Sequence, residues 1–428
     1  MPVTTARPPQ LTPAAVRDHF HSSDTVLVAG GCGQPDAVLD IVAQARLDLP
    51  LTVMDCSVPG MTELDPDRIS SASTLNTGFF LGGYRRLHAA GRLDWVPAFH
   101  SARYRALEDF YGVDVALIMV APPGADGACS LGLHTDYSLE MLAKARLVIA
   151  EINAAVPDIA DAPRIPLADI DFAVTTDRPL LEYRIGGKAA DADAIVADHI
   201  AGLVEDGDCL QLGIGALPVS ILQRLGGKRD LGVHTGLLTE AFMPLVEAGV
   251  VNGRRKNIDT GKLVTGIAAG SQEFYRWCAG YPGLALRPVT YTHNAGVLAS
   301  INQLVAINTT LEIDLFGQLN SETLDGRQVG GGGGLVDFLR GARASRGGRS
   351  IIALHSTAKG GSLSKIKPLL SGPVTALRAD VDYVVTEQGV ARLSNQSLER
   401  RAEALIGIAH PNFRTELTAQ WQEILRRC

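Results

Sequence analysis

Short apolar runs of strand length punctuate the chain, each followed within a few residues by Gly, Pro, Ser or Asn. The runs at 25–29, 51–54, 115–120, 146–152, 209–212, 304–307, 350–354 and 383–386 are rich in Val, Ile and Leu and show little polar alternation. A strand covered on both faces has that signature, whereas a half-exposed strand alternates. Helical patterns lie between the runs, at 35–44, 139–144, 192–205 and 398–408. Strands separated by helices in this way predict an α/β fold with largely parallel, buried sheets.

One internal echo organises the chain. DTVLVAGGCGQPDAVL (24–39) and DCLQLGIGALPVSIL (208–222) share an acidic residue, an apolar strand, a glycine turn, a proline and an apolar helix start. A helical stretch precedes each, at 14–21 and at 192–205. Two such units predict duplicated α/β halves, 1–187 and 188–428, joined in Ile185-Gly186-Gly187-Lys188. A cleft between halves is the natural place for a ligand.

Composition narrows the function. The 428 residues are 46% hydrophobic and 20% charged, which excludes a disordered chain. A net charge of −7 lacks the basic footprint of nucleic-acid binding. The six cysteines are scattered singly with no C-x-x-C pair, so neither a disulfide framework nor a zinc site is expected. No apolar leader or run of 18 apolar residues is present, which predicts a cytoplasmic protein without a membrane span.

Glycine is in excess, with 45 residues against a usual ~7%. The turns Gly30-Gly31-Cys32-Gly33 and Gly213-Ile214-Gly215 suit either a phosphate cradle at a helix N-terminus or a plain strand-to-helix turn. They lack the G-x-G-x-x-G spacing of a dinucleotide fingerprint. The run Gly330 to Gly334 differs, because an apolar helix-like segment follows at once. Bare backbone N–H groups there could meet an anion or an oxyanion.

Long strings then carry a resemblance. LQLGIGALP (210–218), LGVHT (231–235), EAGVV (247–251), INTTLEIDLFGQLNSE (307–322), GGGGLVDF (331–338), VDYVVTEQGVARL (381–393) and ALIGIAHPNFR (404–414) are similar to the acetyl-CoA hydrolase/transferase family. VDVALIMVAPPGADGACSLG (113–132) and ARLVIAEINAAVP (145–157) extend the likeness into the first half. The family includes 4-hydroxybutyrate and butyrate–acetate CoA-transferases. The resemblance implies two similar α/β domains of CoA-transferase type, a homo-oligomer (dimer or tetramer), and thioester chemistry on coenzyme A without a metal. It implies that a glutamate attacks the acyl-CoA, so that one hard exchange becomes several easier steps. It assigns CoA and oxyanion binding to Gly213, Gly215 and Gly331, Gly332, Gly333 and Gly334, and places Glu387 in the site.

The nucleophile is where the chain departs. Relatives read G-[IV]-H-[ST]-E; here the string is Gly232-Val233-His234-Thr235-Gly236, with glycine at the glutamate position. Glu240 lies four residues on, and a helical connection would carry it about 6 Å along the axis. Thr235 and Thr239 have no base evident in sequence. Where relatives place an asparagine, this chain has His293, with Asn294 beside it. His134 stands at a position usually small in relatives, and His234 belongs to the family motif. His293 is the side-chain type suited to general-base work near neutrality.

These residues predict an acyl-CoA enzyme without the glutamyl intermediate. His293 or Glu387 would activate water or another small-molecule acceptor, giving hydrolysis or acyl transfer. Alternatives are CoA transfer through Glu240, decarboxylase-type C–C chemistry, and a silent acyl-CoA-binding protein.

Overall fold

The computed structural model describes residues 7–106, 112–136, 142–184 and 191–427. The chain forms two compact units. The first comprises 1–184, 236–240 and 264–292, and the second 185–235, 241–263 and 293–428. The junction expected at residue 187 lies outside the described residues, as does most of the helix expected at 139–144.

The first unit holds a seven-stranded sheet in the order Leu93–Trp95, Thr74–Thr77, Thr52–Asp55, Thr25–Val28, Val115–Val120, Leu147–Asn153, Phe172–Thr176. Every pairing is parallel. Val26 stands level with Val53 on one side and Val115 on the other. With their row they form one core, together with Val38, Leu39 and Val42 of helix Asp36–Ala45. The alternate residues Leu27, Met54, Ala116 and Ile118 face a second core. Both faces are therefore covered, which is why these strands read as unbroken apolar runs. Glu151 is buried within the sheet and accepts from the Ala37 N–H at 2.8 Å and the Thr176 hydroxyl at 2.8 Å. A carboxylate at the start of helix Asp36–Ala45 complements its dipole.

In the second unit the strands run Gly232–Thr239, Cys209–Leu212, Leu304–Thr309, Arg349–Ala353, Tyr383–Thr386, Gly389–Arg392. All pair in parallel except the last two, which form an edge hairpin. Gly215, at φ +120°, leads into helix Ala216–Gln223 without a side-chain cap. The α/β expectation, with largely parallel sheets, is met in both units.

Two strands escaped the hydrophobic pattern for one reason. Thr74–Thr77 carries the buried Asn76, bonded to Asp94 at 2.7 Å, and Gly232–Thr239 carries the buried His234 and Thr235. Their polar groups are satisfied internally, so low hydrophobicity concealed burial. The second strand also corrects the helical connection considered for 236–240. The chain stays extended to Thr239, so four residues advance about 13 Å rather than 6 Å. Among the described residues no helix is long and apolar enough to cross a membrane.

Candidate functional site

In the first unit, Gly236 lies half-buried in an extended strand, and its carbonyl accepts from the Thr265 hydroxyl at 3.2 Å. The neighbouring Gly266 faces the Asp136 carboxylate: a Cβ there would stand 2.3 Å from Asp136 Oδ1 and 3.3 Å from the Gly236 oxygen. Asp136 and the Gly236 backbone thus flank one glycine. Asp136 is held by its chain neighbours. The Thr135 N–H and hydroxyl both donate to the Gly266 carbonyl at 3.0 Å, and the Asp136 carbonyl accepts from Val289 at 2.9 Å.

Asp136 Oδ2 meets His100 Nε2 at 2.5 Å. The carboxylate is buried, while the imidazole keeps 15% side-chain exposure. His100 opens helix His100–Ala106, and one turn on, Arg103 donates to the Asn76 side chain at 2.5 Å and its carbonyl at 3.0 Å. Residues three apart share a helix face, so the buried Arg103 anchors the turn that presents His100. A histidine oriented by a buried carboxylate is the arrangement of a general base with its orienter. Sequence reasoning missed this pair, because 36 residues separate the partners and no motif links them.

Other expected residues take different roles. The Glu240 carboxylate accepts from the Ser271 N–H at 3.0 Å, and Ser271 caps helix Gln272–Gly280. His134 is buried against the first glycine turn, its Nδ1 3.0 Å from where a Cβ on Gly33 would be. Burial holds its imidazole below the ordinary range, against the charge of Asp136 and a bond from Gly30. The five described cysteines are buried free thiols, and burial pushes the Cys32 thiol up to about 12, which removes it as a nucleophile.

In the second unit, Gly331 to Gly334 are half-buried and lead into helix Leu335–Ala344, whose start has no side-chain cap. Its first N–H groups are the kind that receive an anion. His293 is 4% exposed, edge-on to Phe338 with ring centroids 4.8 Å apart. A Cβ on Gly334 would lie 2.5 Å from His293 Nε2, so the glycine run and His293 form one packed surface. Gly334→Ala is accordingly expected to cost about 1–3 kcal/mol through overpacking. Thermal unfolding measures it, and an unchanged melting temperature would remove this packing role. Asn294 is exposed, and its Oδ1 caps helix Ala295–Ser300, accepting from Gly296 at 2.9 Å and Val297 at 3.1 Å.

Glu387 lies in the turn of the edge hairpin. Its carboxylate accepts from the Ser356 N–H at 2.9 Å and from the Ser356 hydroxyl. Burial opposes its charge, but these bonds outweigh it and hold the carboxyl below its usual range. Beside Ser356, His355 Nε2 meets Asp193 Oδ1 at 2.7 Å. The Gly213 turn precedes helix Ala216–Gln223 and lies next to the Gln211–Asn308 pair, bonded at 2.8 Å.

Parallel sheets in two units, with a glycine run opening a helix, define an α/β protein of CoA-transferase type. Family models for the acetyl-CoA hydrolase/transferase N-terminal domain match residues 10–182, and those for its C-terminal domain match 270–421. The chain belongs to the acetyl-CoA hydrolase/transferase family, whose substrates are CoA thioesters. It is 38% identical to 4-hydroxybutyrate coenzyme A transferase of Clostridium kluyveri, over 93% of this chain and 94% of that one. It is 26% identical to acetyl-CoA hydrolase of Eremothecium gossypii, over 72% and 65%. Among solved structures, RipA from Yersinia pestis superposes with a TM-score of 0.89 at 34% identity, covering 97% of each chain.

Proposed function

We propose that this chain hydrolyses acyl-CoA thioesters, or passes the acyl group to a small non-CoA acceptor, without a glutamyl-CoA intermediate. The observation that carries this reading is the His100–Asp136 pair beside Gly236. At the position where the resemblance expects a nucleophile there is no side chain, and the nearest ordered acid–base device is an imidazole braced by a carboxylate. His100 takes a proton from water as its oxygen attacks the thioester carbon, and Asp136 stabilises the imidazolium. The N–H groups of the Gly331–Gly334 segment stabilise the oxyanion. Collapse breaks the C–S bond, releasing the acid and CoA thiolate, which receives the proton.

Two facts argue against Glu240 as a substitute nucleophile. It lies beyond four extended residues, and its carboxylate is engaged at a helix start. Glu387 is held ionised by Ser356, which suits an orienting group better than a base. An acetyl-CoA hydrolase among the relatives is in keeping with water as acceptor. A cytoplasmic homo-oligomer belongs to the same proposal, supported by buried, unpaired thiols.

The purified protein incubated with acetyl-CoA and butyryl-CoA is expected to release thiol at a rate that added carboxylates do not raise. Glu240→Gln is expected to behave alike. Carboxylate-dependent CoA exchange, with Glu240 trapped by borohydride, would overturn the reading.

A further inference from the structure

The carboxyl ends of two parallel strands of the second unit, Leu304–Thr309 and Arg349–Ala353, border a cavity of about 280 Å³. The first turn of helix Ala216–Gln223 lines it through Leu217. In open α/β sheets, ligands bind outside the carboxyl ends of the strands. The lining combines apolar Leu217, Leu311 and Leu354 with Lys365, His355 and Asp193.

Lys365 sets the chemistry. Among the described residues no acceptor or carboxylate pairs with its ammonium, although the residue is partly buried in the wall. Burial lowers its proton affinity, and the charges of Glu312 and Glu387 act in the opposite sense. A cation withdrawn from water without a partner is costly. Asp193 does not serve as that partner, because its carboxylate is bonded to His355.

We infer that this cavity binds the carboxylate of a small organic acid, paired with Lys365 and bonded by His355. Asp193 favours the imidazolium of His355, whose second ring N–H can then donate to the acid. The leucines suit a short carbon chain. A phosphate dianion fits poorly, because Asp193 already lines the wall and Glu312 and Glu387 add negative potential at Lys365. One carboxylate could come from a free acid or from the far end of an acyl chain on CoA. Its assignment to a substrate rests on the acyl-CoA reading above, whereas the binding itself does not.

Isothermal titration with butyrate, succinate, butanamide and inorganic phosphate tests the pocket without turnover. At least one of the two acids is expected to bind, and butanamide and phosphate are not. Lys365→Met should weaken acid binding at least tenfold and Lys365→Arg should retain most of it. His355→Gln supplies a second weakened variant should Lys365→Met fail to fold. Equal affinity for acid and amide, or acid binding unaffected by these variants, would overturn the inference. Comparing kcat/KM for succinyl-CoA and butyryl-CoA separates the sources. A preference for succinyl-CoA assigns the carboxylate to the acyl chain, and no preference assigns it to the free acid. Acid binding without any acyl-CoA turnover would fault the hydrolase reading alone, and turnover without acid binding would fault the pocket alone.

Discussion

Replacing His100 by asparagine is expected to lower the rate of acyl-CoA hydrolysis by a factor of about 10²–10⁴, the usual contribution of a positioned general base. The fall should appear in kcat with little change in KM, because a base acts on water in the transition state rather than on the bound thioester. Asp136→Asn should fall in the same direction. Its amide offers an N–H toward His100 Nε2, which favours the wrong imidazole tautomer. Asp136 is buried, so this variant needs a thermal melt alongside the kinetics. If His100→Asn folds and hydrolyses acetyl-CoA within about twofold of the parent, the imidazole is not the base.

The contrast with His293 follows from surroundings rather than residue type. His293 is packed edge-on to Phe338 and against Gly334, an arrangement that shapes the glycine run. His100 is partly exposed and braced on one ring nitrogen by a carboxylate. Sequence alone could not separate them, because burial and partner choice are tertiary properties.

The same limit governs the rest of the chain. Val115–Val120 was legible because a strand covered on both faces must be apolar throughout. Thr74–Thr77 was not, since Asn76 is buried by satisfying Asp94 and Arg103, and a hydropathy pattern carries no record of partners. Gly236 stood out only through register with long family-like strings. Its consequence needed Asp136, which reaches it across Gly266 from a distant stretch of chain. Lys365, His355 and Asp193 carry no motif; the ends of parallel strands and a helix start bring them to one cavity. Glu240 misled for a local reason. A run of GLLTE is compatible with helix, but pairing of the preceding residues continued the strand and carried the carboxylate to a helix cap.

Gly236→Glu should convert the chemistry. The backbone at 236 is extended, a conformation every residue adopts, so a glutamate there requires no change of strand. The added carboxylate would supply the attacking group that the resemblance expects. Attack on an acyl-CoA expels CoA thiolate and leaves an acyl-glutamyl anhydride; the thiolate then attacks the glutamyl carbonyl, releasing the acid and forming a glutamyl-CoA thioester. A second carboxylate can then take over the CoA. Acetate-dependent CoA exchange is expected to rise roughly tenfold or more above the parent, equivalent to ~1.4 kcal/mol of barrier. Intact-mass analysis should show the CoA adduct, and borohydride should trap it at residue 236. Exchange should persist in the Gly236→Glu/His100→Asn double variant, because a carboxylate nucleophile needs no base, while hydrolysis stays low. A folded Gly236→Glu protein that hydrolyses acyl-CoA at the parent rate and forms no adduct would place the reacting carbon away from residue 236, and the role given to the His100–Asp136 pair would fall with it.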